Sequence, residues 1–303
     1  MIEFRKLTPQ DREQYMTCLA GAEEKGCEYS FVNLNLWGRQ RFAFWDGFAV
    51  LFSQFDRFSV YPFPVGHGDI KAVLDAIIHD AGRRGIPCRI SSMTKKECAI
   101  LEALYPSKFR FHTDRDDYDY VYAIDDLADL RGKRHQSKRN FVNRFLAAHP
   151  DHRLLPLDDI TAPLAKVLAD RWYENRLAQD PLSDYHLEQV ALERAFAARE
   201  SLGLEGLVLM DGDTPLAMTM GSRLSADTFD IHFEKALDTT DGAYAFINQA
   251  FARYIWATHP EIQYLNREDD MGIPGLRKAK LSYHPHHMVE KYWARLWEDD
   301  DAN

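Results

Sequence analysis

Residues 228–258 read TFDIHFEKALDTTDGAYAFINQAFARYIWAT, and this stretch decides the fold. Its first eight residues alternate, with Phe229, Ile231 and Phe233 on one face and polar side chains on the other, which predicts a half-buried β-strand. A polar loop, 237–242, then ends in glycine. The helix predicted after it carries one apolar stripe, formed by Ile247, Ala250, Phe251, Tyr254, Ile255 and Thr258. Strand, loop and helix in this order predict an α/β fold.

The elements on both sides of this stretch extend the pattern. Upstream, an Asp211-Gly212 turn joins two apolar runs, 207–210 and 216–220, and predicts a hairpin. Downstream, a strand (262–266), a helix (276–281) and a closing strand (288–296) follow. The second half is predicted to begin with a helical segment at Tyr118, and its further helices are predicted at 131–146, 160–178 and 185–200.

The first half of the chain repeats the same order of elements. Residues 41–53 and 57–62 predict two strands, and a glycine-containing loop leads into a helix over 70–81. A strand at 87–90, a helix at 95–104 and a strand at 108–112 complete that half. We therefore predict two domains, 1–117 and 118–303, of the α/β (α+β) class. In each, a mixed and mostly antiparallel sheet is flanked by helices.

The composition of the chain excludes some classes of protein. The chain has 303 residues, 46% of them hydrophobic, and a net charge of −10, so it can build two cores and is not a general nucleic-acid or membrane coat. Its four cysteines show no C-x-x-C spacing, which indicates reduced thiols. No run of about 18 apolar residues occurs, so we predict no transmembrane segment and expect a cytoplasmic protein.

One segment departs from the acidic average. Residues 131–144, RGKRHQSKRNFVNR, hold six Lys or Arg and no acid. Such segregation indicates an anionic partner, either tRNA or the phosphates of CoA, and a lipid headgroup is a further alternative. A solvated helix that pairs with the acidic remainder remains open.

The loop between the central strand and its helix gives the first chemical indication. A loop of small residues that enters a helix presents unpaired N–H groups and the positive end of the helix dipole, which suits a phosphate. We expect Gly242, Ala243 and Tyr244 to contact the donor there. Glu234, near the end of the strand, could take a proton from an attacking ammonium, and His232 on the same face is the alternative. An ordinary loop and a salt-bridged Glu234 remain open.

Polar residues follow the strand at 262–266 directly. Asn266 and Glu268 project from its C-terminal edge, where open α/β sheets tend to bind ligands. On the next helix, Arg277, Lys280 and either Tyr283 or His284 lie three or four residues apart and share a face. Two cations and a phenol suit a phosphate or carboxylate, although cations that neutralise the acids 268–270 are the alternative.

Two segments contain residue types that bind metals. Three adjacent acids, 268–270, could bind Mg²⁺, but such a loop is more often solvated. The histidines of 284–287 could bind zinc, but no cysteine or acid lies at a ligand-like spacing. The sequence therefore predicts no metal site.

Taken in order, several short motifs resemble a bacterial family related to the C-terminal domain of phosphatidylglycerol lysyltransferase. They are Leu130-Arg131-Gly132-Lys133, Lys138-Arg139-Asn140, His232-Phe233-Glu234-Lys235, Gly242-Ala243-Tyr244 with Asn248, Asn266-Arg267-Glu268-Asp269 with Gly272, Gly275-Leu276-Arg277-Lys278-Ala279-Lys280, and Ser282-Tyr283 with Pro285. The resemblance implies two tandem GNAT-like acyltransferase domains, as in Fem-type aminoacyltransferases. It also implies transfer of an activated aminoacyl or acyl group to an amine or hydroxyl.

These observations lead to one hypothesis with two rivals. We expect direct nucleophilic attack on an aminoacyl ester of tRNA, in the second half and with no tightly bound cofactor. Glu234 is then the base, Asn266, Glu268 and Tyr283 surround the reacting centre, and the donor phosphates contact Lys133, Lys138, Arg139, Arg277 and Lys280. An acyl-CoA donor is the first alternative. A catalytically inactive protein that binds a nucleotide or RNA is the second, because one fold hosts many activities.

Overall fold

A computed structural model describes residues 1–55, 58–182 and 184–297. The chain forms two compact units. Unit 1 contains Met1–Asp119, Asp269–Gly272 and the described residues from Met288 onward, and unit 2 contains Tyr120–Glu268 and Ile273–His287. The predicted division into 1–117 and 118–303 differs from this arrangement, because strand pairing returns the end of the chain to unit 1.

Ten α-helices and fourteen strands lie within the described ranges. The helices are α1 (Arg12–Ala20), α2 (Phe31–Leu36), α3 (Ile70–Arg84), α4 (Lys95–Leu104), α5 (Ile124–Asp129), α6 (Gln136–Ala148), α7 (Ala162–Gln179), α8 (His186–Ala198), α9 (Ala243–Thr258) and α10 (Pro274–Leu281). The strands are β1 (Gln40–Trp45), β2 (Phe48–Gln54), β3 (Ser59–Pro62), β4 (Val65–Gly66), β5 (Arg89–Met93), β6 (Phe109–Thr113), β7 (Asp119–Ala123), β8 (His152–Pro156), β9 (Glu205–Asp211), β10 (Thr214–Arg223), β11 (Thr228–Ala236), β12 (Tyr264–Asn266), β13 (His287–Val289) and β14 (Tyr292–Leu296). Among the described helices, none combines the length and apolar composition that crossing a bilayer requires.

Unit 1 is a mixed sheet with helices packed against it. Its strand order is β1-β2-β3-β5-β14-β6, with β4 beside β2, and the β3–β5 pair is parallel. Asp69 caps the start of α3, where its side chain accepts hydrogen bonds from two backbone N–H groups, and the helix contributes Val73, Leu74 and Ile77 to the core. The periodicity of 70–81 thus correctly predicted both the helix and its buried face.

Two strand predictions in unit 1 need correction. Residues 41–53 form two strands, β1 and β2, because Asp46 and Gly47 adopt positive φ values of 46° and 83° and close a tight hairpin turn. The second predicted strand, 57–62, begins at Ser59 among the described residues, and residue 57 lies outside them. At the C-terminus, residues 288–296 divide between β13 and β14, and β14 pairs with β5 and β6 of unit 1.

Unit 2 contains a mixed sheet in which the strands run β7-β12-β11-β10-β9-β8. Every pair in this run is antiparallel except β11–β12, which is parallel. Helix α9 packs on β10 and β11 and also contacts α5 and α6. One prediction was wrong here: the residues after Tyr118 begin with strand β7, and the short helix α5 follows it. Both units have the predicted mixed, mostly antiparallel sheet with flanking helices.

Candidate active site

The candidate site of unit 2 lies where two parallel strands part. Strands β11 and β12 pair only from Thr228–Tyr264 to Asp230–Asn266, and β11 then continues to Ala236. Side chains from the part of β11 beyond its pairing with β12, and from the turn after β12, therefore lie where the two strands separate. Open α/β sheets tend to bind ligands at such a parting.

A buried ion pair spans this parting. The Nη2 of Arg267, in the turn after β12, donates to Oε1 of Glu234 on β11 over 2.8 Å. The Nδ2 of Asn248 on α9 donates to the other carboxylate oxygen over 3.2 Å. Glu234 is therefore held by two donors. Burial opposes the positive charge of Arg267, but Glu234 beside it raises the pKa of the guanidinium.

Several polar atoms around this pair are buried without a hydrogen-bond partner in the described residues. They are Nη1 of Arg267, Oδ1 of Asn248 and Oγ1 of Thr219, the last lying opposite Glu234 in the register of β10 and β11. A buried polar group without a partner costs about 1–3 kcal/mol. A ligand that bonds these atoms recovers that energy, so the pair is suited to contact a substrate.

Two cations lie over the aromatic ring of Tyr283. Lys138 Nζ, from α6, lies 3.8 Å from the ring centroid, and the guanidinium carbon of Arg267 lies 4.9 Å from it. Partial burial and the charge of Arg267 lower the pKa of Lys138 to about 8, although Glu234 opposes the shift. Burial raises the pKa of Tyr283. Lys138 therefore changes its charge close to neutral pH.

Lys280 and Asn266 hold the turn that carries Arg267. The ammonium of Lys280 donates to the carbonyl oxygens of Arg267 and Glu268, over 2.5 Å and 3.1 Å. The side chain of Asn266 accepts the N–H of Glu268 over 2.7 Å, and Glu268 itself has a positive φ of 57°. These contacts fix an irregular backbone segment, which in turn positions the Arg267 side chain.

The loop expected to contact the donor lies at the start of α9. Gly242 is the N-cap with φ of 81°, and a Cβ there would lie 2.2 Å from the carbonyl oxygen of Phe141 on α6. Two carboxylates of this loop, Asp238 and Asp241, form ion pairs with Arg176 and Arg144. Ala243 is buried, and the hydroxyl of Tyr244 accepts a hydrogen bond from Trp172 over 2.7 Å.

The basic segment 131–144 is partly paired within unit 2. Arg131, Arg134 and Arg144 form ion pairs with Asp129, Asp126 and Asp241. Arg139 donates to the carbonyl oxygens of Leu130 and Gly132, and Lys133 is exposed on the turn before α6. Exposed ion pairs contribute at most about 1 kcal/mol, so a phosphate can displace them.

The structure groups the predicted residues in two sets. Around Arg267 lie Glu234, Asn266, Glu268, Tyr283, Lys138 and Lys280. Elsewhere in unit 2 lie Lys133, Arg139, Gly242, Ala243, Tyr244 and Arg277, the last half-buried on α10. Sequence reasoning assigned no role to Arg267 or Asn248. The detectable signal for Asn248 was a polar residue next to Ile247 in the apolar part of α9.

Two groups of side chains in the described residues have the composition of a metal site. One comprises Asp230, His232 and Glu268 in unit 2, and the other Cys27, Asp119 and Asp269 in unit 1. In the second group the ammonium of Lys291 lies 2.6 Å from Asp119 and already supplies a positive charge.

Comparison with known proteins identifies the family of the chain. The family profile described as "Phosphatidylglycerol lysyltransferase, C-terminal" matches residues 19–295, nearly the whole chain. The chain belongs to this family. It is thereby related to aminoacyltransferases, as the motifs around Asn266 and Gly242 predicted. No curated protein sequence matches the chain.

Solved structures show which proteins share the fold. A conserved protein of unknown function from Bacteroides thetaiotaomicron is 37% identical, with a TM-score of 0.93 over 98% of this chain and 100% of that one. L-PGS from Bacillus licheniformis is 14% identical, with a TM-score of 0.67 over 95% and 92%. A tandem GNAT protein from the clavulanic acid biosynthesis pathway is 10% identical, with a TM-score of 0.51 over 99% and 100%. The last two share the fold, which is GNAT-like as predicted.

Proposed function

We propose that unit 2 transfers an aminoacyl group from aminoacyl-tRNA to an amine or hydroxyl of a small-molecule or peptide acceptor. The observation that carries this proposal is the buried Arg267, which Glu234 holds through Nη2 while Nη1 has no partner among the described residues. A fixed guanidinium hydrogen can stabilise the negative oxygen that forms when a nucleophile attacks an ester. Membership of a lysyltransferase family supports the same chemistry.

The reaction is a direct attack without a covalent enzyme intermediate. The nucleophile forms a bond to the ester carbonyl carbon, and the carbonyl oxygen becomes an oxyanion beside Arg267. Collapse breaks the bond to the ribose oxygen of the terminal tRNA nucleotide. The proton lost by the nucleophile passes to a base and then to that ribose oxygen, which leaves as a hydroxyl.

Two groups are candidates for the base. Glu234 is the residue that the sequence indicates, and its carboxylate offers about four lone-pair sites, of which the structure uses two. Lys138 is the second, because a pKa of about 8 leaves part of the amine neutral near physiological pH. In either arrangement, Asn266, Glu268, Tyr283 and Lys280 surround and position the reacting groups.

The charges at the start of α9 agree better with an aminoacyl-tRNA donor than with an acyl-CoA donor. A CoA pyrophosphate at the start of α9 would approach Asp238 and Asp241, and α6 lies directly against Gly242. For tRNA, we propose that Lys133, Arg139 and Arg277 contact phosphates. The acyl-CoA donor is the alternative, and it depends on Gly242, Ala243 and Tyr244.

Binding measurements distinguish the donors. We would measure the affinity for aminoacyl-tRNA, uncharged tRNA and acetyl-CoA at 50 mM and 200 mM salt. The proposal requires tRNA affinity that falls steeply with salt, and Lys133→Ala should reduce the slope of log K against log salt by roughly one. Lys166→Ala, outside the basic segment and on α7, is the matched control. Salt-insensitive binding of acetyl-CoA without binding of tRNA would establish the alternative donor.

A further inference from the structure

A second cluster of charged groups lies beside the Arg267–Glu234 pair. Asp230 and His232 belong to β11, and Glu268 follows β12. The Nδ1 of His232 lies 3.5 Å from Oδ2 of Asp230 and 3.4 Å from Oε1 of Glu268. One ligand atom from each residue lies within 4.8 Å of the other two. Imidazole nitrogen and carboxylate oxygen are both common zinc ligands.

The orientation of His232 is fixed by Ser222 of β10. The Nε2 of His232 and the hydroxyl oxygen of Ser222 are 2.8 Å apart, and both side chains are buried. A serine that accepts the Nε2–H leaves the lone pair of Nδ1 directed at two carboxylates. Metal-binding histidines typically have such a partner on the other ring nitrogen, which sets the tautomer and the ring orientation.

We propose that Asp230, His232 and Glu268 bind one divalent cation of the zinc class. Bonds of about 2.0–2.1 Å to a tetrahedral ion place neighbouring ligand atoms about 3.3–3.4 Å apart. The distances from Nδ1 to the two carboxylate oxygens, 3.4 Å and 3.5 Å, agree with that geometry. The ion contacts three protein ligands and leaves one position for water.

The proposed cation lies where strands β11 and β12 separate. Asp230 is the last residue of β11 that pairs with β12, and Glu268 lies two residues after the end of β12. A bound ion therefore links the two strands at the point where they part. This proposal does not depend on aminoacyl transfer, because it concerns binding of the metal alone.

The experiment uses the full chain, freed of metal by chelation and then dialysed. Titration with Zn²⁺ should show one tight site and raise the melting temperature, because the ion binds only the folded chain. Titration with Co²⁺ should give the visible absorption of a tetrahedral Co²⁺ site. His232→Gln, Asp230→Asn and Glu268→Gln should each weaken binding at least about tenfold, and Ser222→Ala by about tenfold through the orientation of the ring.

Two control variants test other zinc ligands. His286→Gln combined with His287→Gln removes the neighbouring histidine pair, and Cys27→Ser removes the thiol of the cluster in unit 1. Neither should change the tight site. The proposal is overturned if the chain binds no Zn²⁺ at micromolar concentration, or if binding persists in the His232→Gln and Glu268→Gln proteins. Loss of binding in either control would also overturn it.

Discussion

Arg267 donates its Nη2 hydrogen to Oε1 of Glu234 over 2.8 Å and so joins the turn after β12 to the part of β11 that extends beyond its pairing with β12. Only 14% of the Arg267 side chain and 10% of the Glu234 side chain are exposed to solvent. A pair this deeply buried gains little net stability relative to apolar residues, but removal of one partner leaves an uncompensated charge. The pair therefore serves to hold a guanidinium in one position.

The first prediction concerns the removal of one partner of this ion pair. Glu234→Ala should lower the free energy of unfolding by about 3–5 kcal/mol, because Arg267 is left buried without its counter-charge. The double variant Glu234→Ala, Arg267→Met should recover most of that loss. Chemical denaturation of the three proteins measures both effects. A double variant as unstable as Glu234→Ala would mean that the charge of Arg267 is not the cause.

The second prediction concerns the pH dependence of stability. Lys138 has a pKa of about 8 in the folded chain, below the value of about 10.4 for a free lysine. Between these pH values the unfolded chain binds more protons, so this group makes the free energy of unfolding rise as pH increases from about 8 to about 10. Below pH 8, Lys138 does not change the free energy of unfolding with pH, because it is protonated in both the folded and the unfolded chain. Denaturation of wild type and Lys138→Met across this range should show the rise in wild type alone.

The third prediction distinguishes the two candidate bases. If Lys138 is the base, kcat should rise as pH increases through about 8 and then level off, because only the neutral amine accepts a proton. Lys138→Met should then lose most activity, and residual activity should lack that transition. If Glu234 is the base, kcat should show no transition near pH 8. Measurement of kcat as a function of pH for wild type and Lys138→Met decides between the two candidate bases.

The fourth prediction concerns the contact between α6 and the start of α9. Gly242→Ala should destabilise unit 2 by at least about 2 kcal/mol, because its φ is 81° and the added Cβ would overlap the carbonyl oxygen of Phe141. Gly212→Ala is the matched control: its φ is 56°, but apart from its chain neighbours no heavy atom of the described residues lies within 4 Å of the added Cβ. We expect the control to cost about 1 kcal/mol, from backbone strain alone. Equal losses in the two variants would contradict the packing argument.

The fifth prediction separates the hydroxyl of Tyr283 from its ring. Tyr283→Phe keeps the ring on which Lys138 and Arg267 lie, so it should leave the melting temperature and the pKa of Lys138 unchanged. If the hydroxyl contacts the reacting groups, kcat/KM should fall about tenfold, the effect of one lost hydrogen bond. Tyr283→Leu removes the ring as well and, unlike Tyr283→Phe, should destabilise the chain. An unchanged kcat/KM in Tyr283→Phe would restrict the role of Tyr283 to packing.

Local signals in the sequence account for the parts of the fold that were predicted correctly. The hairpin predicted from Asp211-Gly212 forms between β9 and β10, with residues 212 and 213 between the strands. This signal, the alternation of 228–235 and the helical stripe of 70–81 each depend on residues close together in sequence. An Asp-Gly pair also stands at Asp46-Gly47, but the aromatic residues on both sides look like one continuous strand. Its positive φ values show that the dipeptide was the stronger signal.

Long-range pairing could not be predicted in the same way. Strand β14 joins β5 and β6 of unit 1, some 200 residues earlier in the chain. Nothing in the composition of 288–296 identifies those partners. The role of Arg267 could not be predicted for a related reason: it depends on Glu234 and Tyr283, which are distant in sequence and meet Arg267 only in the folded chain.

The most direct test of the central claim is a transfer assay with labelled aminoacyl-tRNA. A mixture of tRNAs charged with radioactive amino acids would be incubated with the protein and a pool of small-molecule and peptide acceptors, and products other than free amino acid would be quantified. Wild type should move label from tRNA into a new amide or ester, and Arg267→Met should reduce the rate at least about a hundredfold. Label that stays on tRNA, together with label that moves from acetyl-CoA under the same conditions, would contradict the account.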